Sequence, residues 1–323
     1  MRYLITGGAG FIGAHLAESL LANGHSVSVI DNLSTGSEDN LAAMKESSSF
    51  SFVKADILES KELNSMVKSS DAVFHLAAAV GVELVVHDPV RTIETNVYGT
   101  ERILKAASAH SKRILVASTS EVYGKSPKEI FTETDDLLIG PSSNSRWSYA
   151  CSKLLDEFFV MAYVRDRKLP GVVVRLFNTV GPRQTGRYGM VLPRFVSKAL
   201  RNEPLRVYGS GDQSRCFCHV SDTIRALKSL ISCEKAIGGV FNIGSTRPIT
   251  IFQLAELVIK QLGSSSSIES VPYEKAYEKG FEDMLHRKPD ISAVGKMIGW
   301  TPEKSLEQII EDVASFIRSS GRD

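Results

Sequence analysis

Nothing in the chain narrows its fold as sharply as its opening segment. An apolar run over residues 3–6 leads directly into Gly7-Gly8-Ala9-Gly10-Phe11-Ile12-Gly13, and an amphipathic stretch follows to Asn23, closed by Gly24. The order is strand, glycine-rich turn, helix. Gly7, Gly10 and Gly13 are separated by two residues each. That spacing permits a tight turn and lets a pyrophosphate approach the backbone, where its charge meets the positive end of the helix. Glycines also mark ordinary turns; the strand before and the helix after make this cluster specific. Gly7, Gly10, Phe11, Ile12 and Gly13 are therefore expected to border a dinucleotide.

The first half keeps the same rhythm. The patterning predicts strands at 26–30, 50–54, 72–76, 113–118 and 172–176, with long helices over 92–110 and 147–168, the second stopped by Pro170. This alternation predicts an α/β fold, a Rossmann-type doubly wound parallel sheet with helices on both faces. After about Phe177 glycine, proline and arginine become frequent, as in Gly181-Pro182-Arg183 and Pro193-Arg194. Short irregular elements are expected there, apart from a buried strand at 240–243 and helices at 251–262 and 306–318. The expected organisation is a dinucleotide-binding domain over 1–177, to which the 240–243 strand returns, and a smaller C-terminal α/β lobe over 178–323. Loop-rich lobes of this kind close over ligands.

Asp31 ends the second strand. A carboxylate there accepts hydrogen bonds from both adenosine ribose hydroxyls and repels a 2′-phosphate, and no arginine stands beside it, so NAD is expected rather than NADP. Asn32 continues the same turn. Asp56-Ile57 follows the third strand, where an acid meets the adenine amino group. Leu76-Ala77-Ala78 follows the fourth, where small side chains let the chain pass close to the cofactor.

Tyr149 and Lys153 stand four apart on a predicted helix, hence on one face. A lysine ammonium near a phenol favours the phenolate, and such a tyrosine exchanges a proton with a sugar hydroxyl while hydride leaves the adjacent carbon. Ser118-Thr119-Ser120-Glu121 ends the fifth strand and brings hydroxyls to the sheet edge where the nicotinamide belongs.

Together these segments resemble the extended short-chain dehydrogenase/reductase family, in its NAD-dependent nucleotide-sugar epimerase/dehydratase group, nearly end to end. The resemblance implies that Lys153 also holds the nicotinamide ribose, that Tyr149 is the general acid/base, and that Thr119 is its hydroxyl partner. Asn96 resembles the family's helix asparagine. Asn178, Arg215 and Arg287 resemble the groups that grip the diphosphate of a UDP-sugar or other nucleotide-sugar, with Asp290 orienting one arginine. Val207 and Tyr208 are expected along the base, and Arg183, Val191 and Leu192 complete the expected substrate pocket. The family pairs the two long helices in a two-fold four-helix interface, which implies a homodimer.

Members of the group begin by oxidising the sugar at C4. Ser120 stands where dehydratases carry an acidic residue, which disfavours dehydration. Thr119-Ser120-Glu121, Arg146-Trp147-Ser148-Tyr149 and His286-Arg287-Lys288-Pro289 are similar to UDP-glucuronate decarboxylases. The segment from Gly181 to Met190 is more similar to UDP-glucose 4-epimerases. A UDP-hexose 4-epimerase of the UDP-glucose type is the expectation, with a UDP-glucuronate decarboxylase or 4-epimerase as the alternative. A non-catalytic NAD-binding regulator is disfavoured by the intact Tyr149, Lys153 and Thr119.

Composition excludes other classes. A net charge of +1 without a basic block argues against nucleic acid or an anionic membrane as partner. No apolar run approaches the roughly eighteen residues of a membrane span, and a strand begins at once at the N-terminus, leaving no space for a signal peptide; a cytoplasmic protein is expected. Cys216 and Cys218 fall in 214–219, read as one strand with His219 beside it. Without a second ligand pair no metal is expected.

Overall fold

The computed structural model describes residues 1–81, 88–186, 190–272 and 284–321. A parallel sheet organises the first half. Its strands are β1 (Arg2–Thr6), β2 (Ser26–Asp31), β3 (Phe50–Lys54), β4 (Ala72–His75), β5 (Arg113–Thr119), β7 (Gly171–Leu176) and β12 (Val240–Ile243), in the spatial order β3-β2-β1-β4-β5-β7-β12. All neighbours are parallel. Parallel strands need crossovers, and here helices supply them. Helices α2 (Leu63–Ser69), α3 (Pro89–Ala109) and α4 (Trp147–Arg167) cover one face. Helices α1 (Phe11–Ala22), α6 (Val220–Ser232) and α8 (Ser292–Ile298) cover the other. With both faces buried, the strands read as near-continuous apolar runs, such as Val172-Val173-Val174.

A second core lies between α5 (Val191–Leu200), α7 (Ile251–Leu262) and α9 (Leu306–Ser320), which pack on the paired strands β9 (Leu205–Tyr208) and β14 (Ile268–Val271). The N-termini of α7 and α9 are fixed by capping boxes, Thr250 with Gln253 and Ser305 with Gln308. The chain beyond 177 serves both cores, because α6, β12 and α8 return to the large sheet.

Two sequence expectations are corrected. The region after 177 is not built of short irregular elements: α5 and α6 are regular helices of ten and thirteen residues. Val220, Ile224, Leu227 and Ile231 bury one helical face in α6, a 3.6-residue period that the neighbouring Gly, Pro and Arg obscure. The 214–219 stretch is two strands. β10 (Ser214–Cys216) pairs antiparallel with β13 (Pro248–Thr250), whereas β11 (Cys218–His219) pairs parallel with β8 (Thr179–Val180). The two thiols thus belong to different sheets, and among the described residues no group of His, Cys, Asp and Glu is arranged to hold a metal.

Candidate active site

A cleft of about 520 Å³ runs along the C-terminal ends of the large sheet and under the second lobe, the place where open parallel sheets bind ligands. One end is shaped by the glycine turn. Gly7 has φ +70°, and a Cβ on it would stand 2.7 Å from Ala77 backbone; a Cβ on Gly13 would stand 2.4 Å from the Gly7 carbonyl oxygen. Gly10 caps α1 without any side-chain bond, so the first helical N–H groups are left for a ligand. Asp31 is buried, and its two oxygens accept from the N–H groups of Ala9 (2.9 Å) and Leu33 (2.8 Å). Burial raises its pKa against those two bonds. A carboxylate has about four acceptor sites, so two remain for ribose hydroxyls. Asp56 is held by Asn32 Nδ2 at 2.8 Å and by Leu58 N–H at 2.9 Å. A small-residue cradle, an uncapped helix N-terminus and a carboxylate at the end of β2 fit a dinucleotide.

The other end holds the reactive groups. Thr119 ends β5 and caps the 3-10 turn Ser120–Tyr123 by accepting from Glu121 N–H at 3.2 Å; its hydroxyl also hydrogen-bonds the Tyr149 phenol. Tyr149 and Lys153 face the cleft from α4. The Tyr149 phenol is buried, and several neighbours act on its pKa. Burial raises it, the charges of Glu121 and Asp156 raise it further, and only the Thr119 bond and Arg146 oppose them. Lys153 Nζ is instead engaged by Asp156 at 2.6 Å.

Glu121 is paired with Arg146 and, at 3.4 Å, with Arg287. Burial alone would raise its pKa; the charges of Arg146, Arg287 and Arg215 outweigh that and hold it at about 2. Among the described residues, three arginines therefore surround one ionised carboxylate, a positive cluster beside Tyr149. Arg146 escaped the sequence reading as a site residue, although its position three before Tyr149 is a recognisable signal.

Beneath the turn, Glu157 of α4 accepts from Ser118 Oγ and takes a bidentate grip from Arg175 of β7, whose Nη1 donates to Tyr123. Tyr123 in turn donates to Asn242 of β12 at 2.7 Å. This buried chain locks α4, which carries Tyr149 and Lys153, to the ends of β5 and β7.

The sequence model of the GDP-mannose 4,6 dehydratase family matches residues 4–313. The chain belongs to this family of NAD-dependent nucleotide-sugar epimerases and dehydratases. Among the family's members, the UDP-N-acetyl-alpha-D-glucosaminuronate decarboxylase of Bacillus cytotoxicus is 41% identical over 323 residues, covering 100% of this chain and 99% of that protein. UDP-glucuronic acid decarboxylase 2 of Arabidopsis thaliana is 36% identical, covering 95% of this chain and 66% of its own length. Among solved structures, the UDP-glucuronic acid 4-epimerase of Bacillus cereus, in complex with UDP-glucuronic acid and NAD, superposes with a TM-score of 0.88 at 29% identity, covering 99% of each chain.

In this family member most of the expected site residues line one cleft. At the dinucleotide end these are Gly7, Gly10, Phe11, Ile12, Gly13, Asp31, Asn32, Asp56, Ile57, Leu76, Ala77 and Ala78. Ser118, Thr119, Ser120, Glu121, Tyr149 and Lys153 form its middle, and Asn178, Val191, Leu192, Tyr208, Arg215 and Arg287 its far wall. Arg183 also borders the cleft, but it is anchored to Glu18 of α1 at 2.6 Å and so stands at the dinucleotide end.

Three residues stand off the wall. Asn96 is buried between Ala79 N–H and Ser152 Oγ. Val207 is buried in the second core. Asp290 accepts from Ser292 N–H at 2.7 Å and so caps its own turn. Within the Gly181–Met190 segment, Arg187, Tyr188 and Gly189 lie outside the described residues.

Proposed function

We propose that the protein is an NAD-dependent decarboxylase of a UDP-linked hexuronate, the alternative raised by the sequence rather than the UDP-glucose 4-epimerase it favoured. The carrying observation is the Arg146–Glu121–Arg287 cluster, with Arg215 close by, next to Tyr149. A hydroxymethyl group at C6 would have no use for a net positive wall; a carboxylate would. The curated relatives that are 41% and 36% identical are both decarboxylases of UDP-hexuronates, which supports the same reading.

Bound NAD supplies the hydride acceptor for C4 and the hydride that is later returned. Tyr149 takes the C4 hydroxyl proton, and Thr119 holds that hydroxyl in line. Lys153 anchors ribose hydroxyls, and Asp31 and Asp56 fix the adenosine end. Of the two arginines expected at the diphosphate, Arg215, with Asn178, grips that side, and its forked donors suit phosphate oxygens. Arg146 and Arg287 receive the C6 carboxylate. The ionised Glu121 then faces a second anion, and that repulsion is relieved when the carboxylate leaves as neutral carbon dioxide. The C4 ketone accepts the electron pair as an enolate, a proton from water is taken up at C5 to restore the ketone, and Tyr149 returns its own proton to the C4 oxygen when that ketone is reduced.

A second reading, a 4-epimerase, is favoured by the Gly181–Met190 segment, which is similar to UDP-glucose 4-epimerases, and in its UDP-glucuronate form by the Bacillus cereus structure. The protein also acts as a homodimer in this proposal. Val90, Ile93 and Tyr98 on α3 and Leu155 and Phe158 on α4 are exposed large apolar side chains, Val90 at 64% and Phe158 at 65%, on two helices packed side by side. No helix among the described residues is long and apolar enough to cross a membrane.

The test is proton NMR of the products formed from UDP-glucose, UDP-glucuronate and UDP-N-acetylglucosaminuronate. A UDP-pentose or its 2-acetamido form, with carbon dioxide, is expected from a uronate. C4 epimers without carbon dioxide would replace this reading with the epimerase.

A further inference from the structure

Arg183 has three properties that the reaction proposed above does not use. Its φ is +68°, in the left-handed region that residues other than glycine seldom occupy. Its Nη2 donates to Glu18 Oε2 on α1 at 2.6 Å, and its Nη1 comes within 3.5 Å of the Asn40 carbonyl oxygen in the 3-10 turn Glu38–Met44. It borders the cleft as well. Strained backbone beside a cleft persists only where its surroundings hold it, and it points to use rather than to stability. The ion pair points the same way: side chains 22% and 30% exposed leave it screened by water and of little weight for the fold.

The pair joins two sides of the dinucleotide end. On one side stands α1, which starts at the glycine turn with no side chain capping it. The 3-10 turn belongs to that side too, because Ser37 N–H at 3.1 Å and Asn40 Nδ2 at 2.9 Å both donate to the Ala9 carbonyl oxygen. Ser34, Thr35, Ser37 and Asn40 line the cleft there. Arg183 comes from the other side, from the turn after β8. That turn is held where Gln184 Nε2 donates to the Thr179 carbonyl oxygen at 3.0 Å. The pair thus bridges from the Asn178 side of the cleft to the two segments that fold around the glycine turn.

We propose that Arg183 is a positioning residue, clasped to Glu18, that closes the dinucleotide end of the cleft and slows the exchange of bound NAD. The guanidinium must let go of Glu18 before the dinucleotide can leave. Such a clasp serves a reaction that takes a hydride from C4 and returns it later, since a cofactor lost in between would leave the sugar as its 4-ketone. The inference rests on NAD lying at the glycine-turn end, and it holds for a decarboxylase and an epimerase alike.

The experiment follows cofactor exchange with no sugar present. Enzyme loaded with deuterium-labelled NAD is mixed with excess unlabelled NAD, and the retained label is read by mass spectrometry after rapid desalting. Glu18→Gln and Arg183→Met should each speed the loss of label about three- to fivefold, the size of a partly exposed ion pair. The double variant should be no faster than either single one, because both remove the same contact. Raising salt from about 0.05 to about 0.5 M should speed exchange in the parent and affect the variants less. Arg183→Lys, which keeps the charge, should fall between the parent and Arg183→Met.

Should Arg183→Met not fold, Glu18→Gln at its part-exposed position and the salt series decide alone. An unchanged rate in Glu18→Gln, effects that multiply in the double variant, or a salt-independent parent overturns the clasp. An Asp31→Ala enzyme that loads NAD as the parent does would instead overturn the placing of the cofactor. Product analysis with the uronates fails or succeeds separately from both.

Discussion

At the scale of single residues, the chemistry depends on which charges are balanced and which are left over. Glu121 would be an ordinary carboxylate in water; between Arg146 and Arg287 it stays ionised down to about pH 2. It is therefore no proton donor at neutral pH, and its contribution is a fixed negative charge beside Tyr149. Under the proposed decarboxylation, replacing Glu121 with Gln would remove the repulsion that drives out the carboxylate and loosen two arginines. In a decarboxylase, kcat should fall about 100-fold or more while KM stays level or drops, the signature of lost ground-state strain. Steady-state kinetics on the uronate substrates check it. A variant with full kcat would separate Glu121 from decarboxylation and favour an epimerase.

At the scale of elements, buried polar ties set the register between strands and helices. His75 at the end of β4 bonds Thr6 of β1 at 2.7 Å and Thr100 of α3 at 3.1 Å. Burial first, and then Lys153, lowers its pKa from 6.5 to about 3. The unfolded chain therefore takes up a proton near pH 6.5 that the folded chain refuses until about pH 3. More protons on the unfolded side means that stability falls on acidification across that window, by at most about 1.4 kcal/mol per pH unit for one group. Melting temperature against pH should show this loss, and His75→Gln should show a shallower slope even if it starts less stable at pH 7. Parallel curves would remove His75 from the account.

At the scale of the whole molecule, two cores flank one cleft, and α3 and α4, which pack on the large sheet, expose apolar side chains. Large apolar side chains exposed together on two packed helices mark a contact surface when they form one patch. Phe158→Glu combined with Val90→Glu should convert a dimer into a monomer in analytical sedimentation while leaving the melting transition cooperative. A parent protein that already sediments as a monomer at micromolar concentration would end the dimer proposal.

What the sequence by itself determined was local. The glycine spacing after β1, the alternation of strands and helices up to residue 177, and the four-residue step from Tyr149 to Lys153 all follow from periods of two to four residues, which a single chain displays openly. Decided only by the tertiary structure were the regular helices after 177, hidden among Gly, Pro and Arg, the break of 214–219 into strands of two different sheets, and the charge balance of the site. Glu121 meets Arg146 from 25 residues away and Arg287 from 166 residues away. Lys153 has its partner only three residues on, yet the spacing does not say that both are buried. Whether a charge is met or left over depends on burial, where charges interact strongly, and on neighbours in space, and neither quantity is written in spacing along the chain.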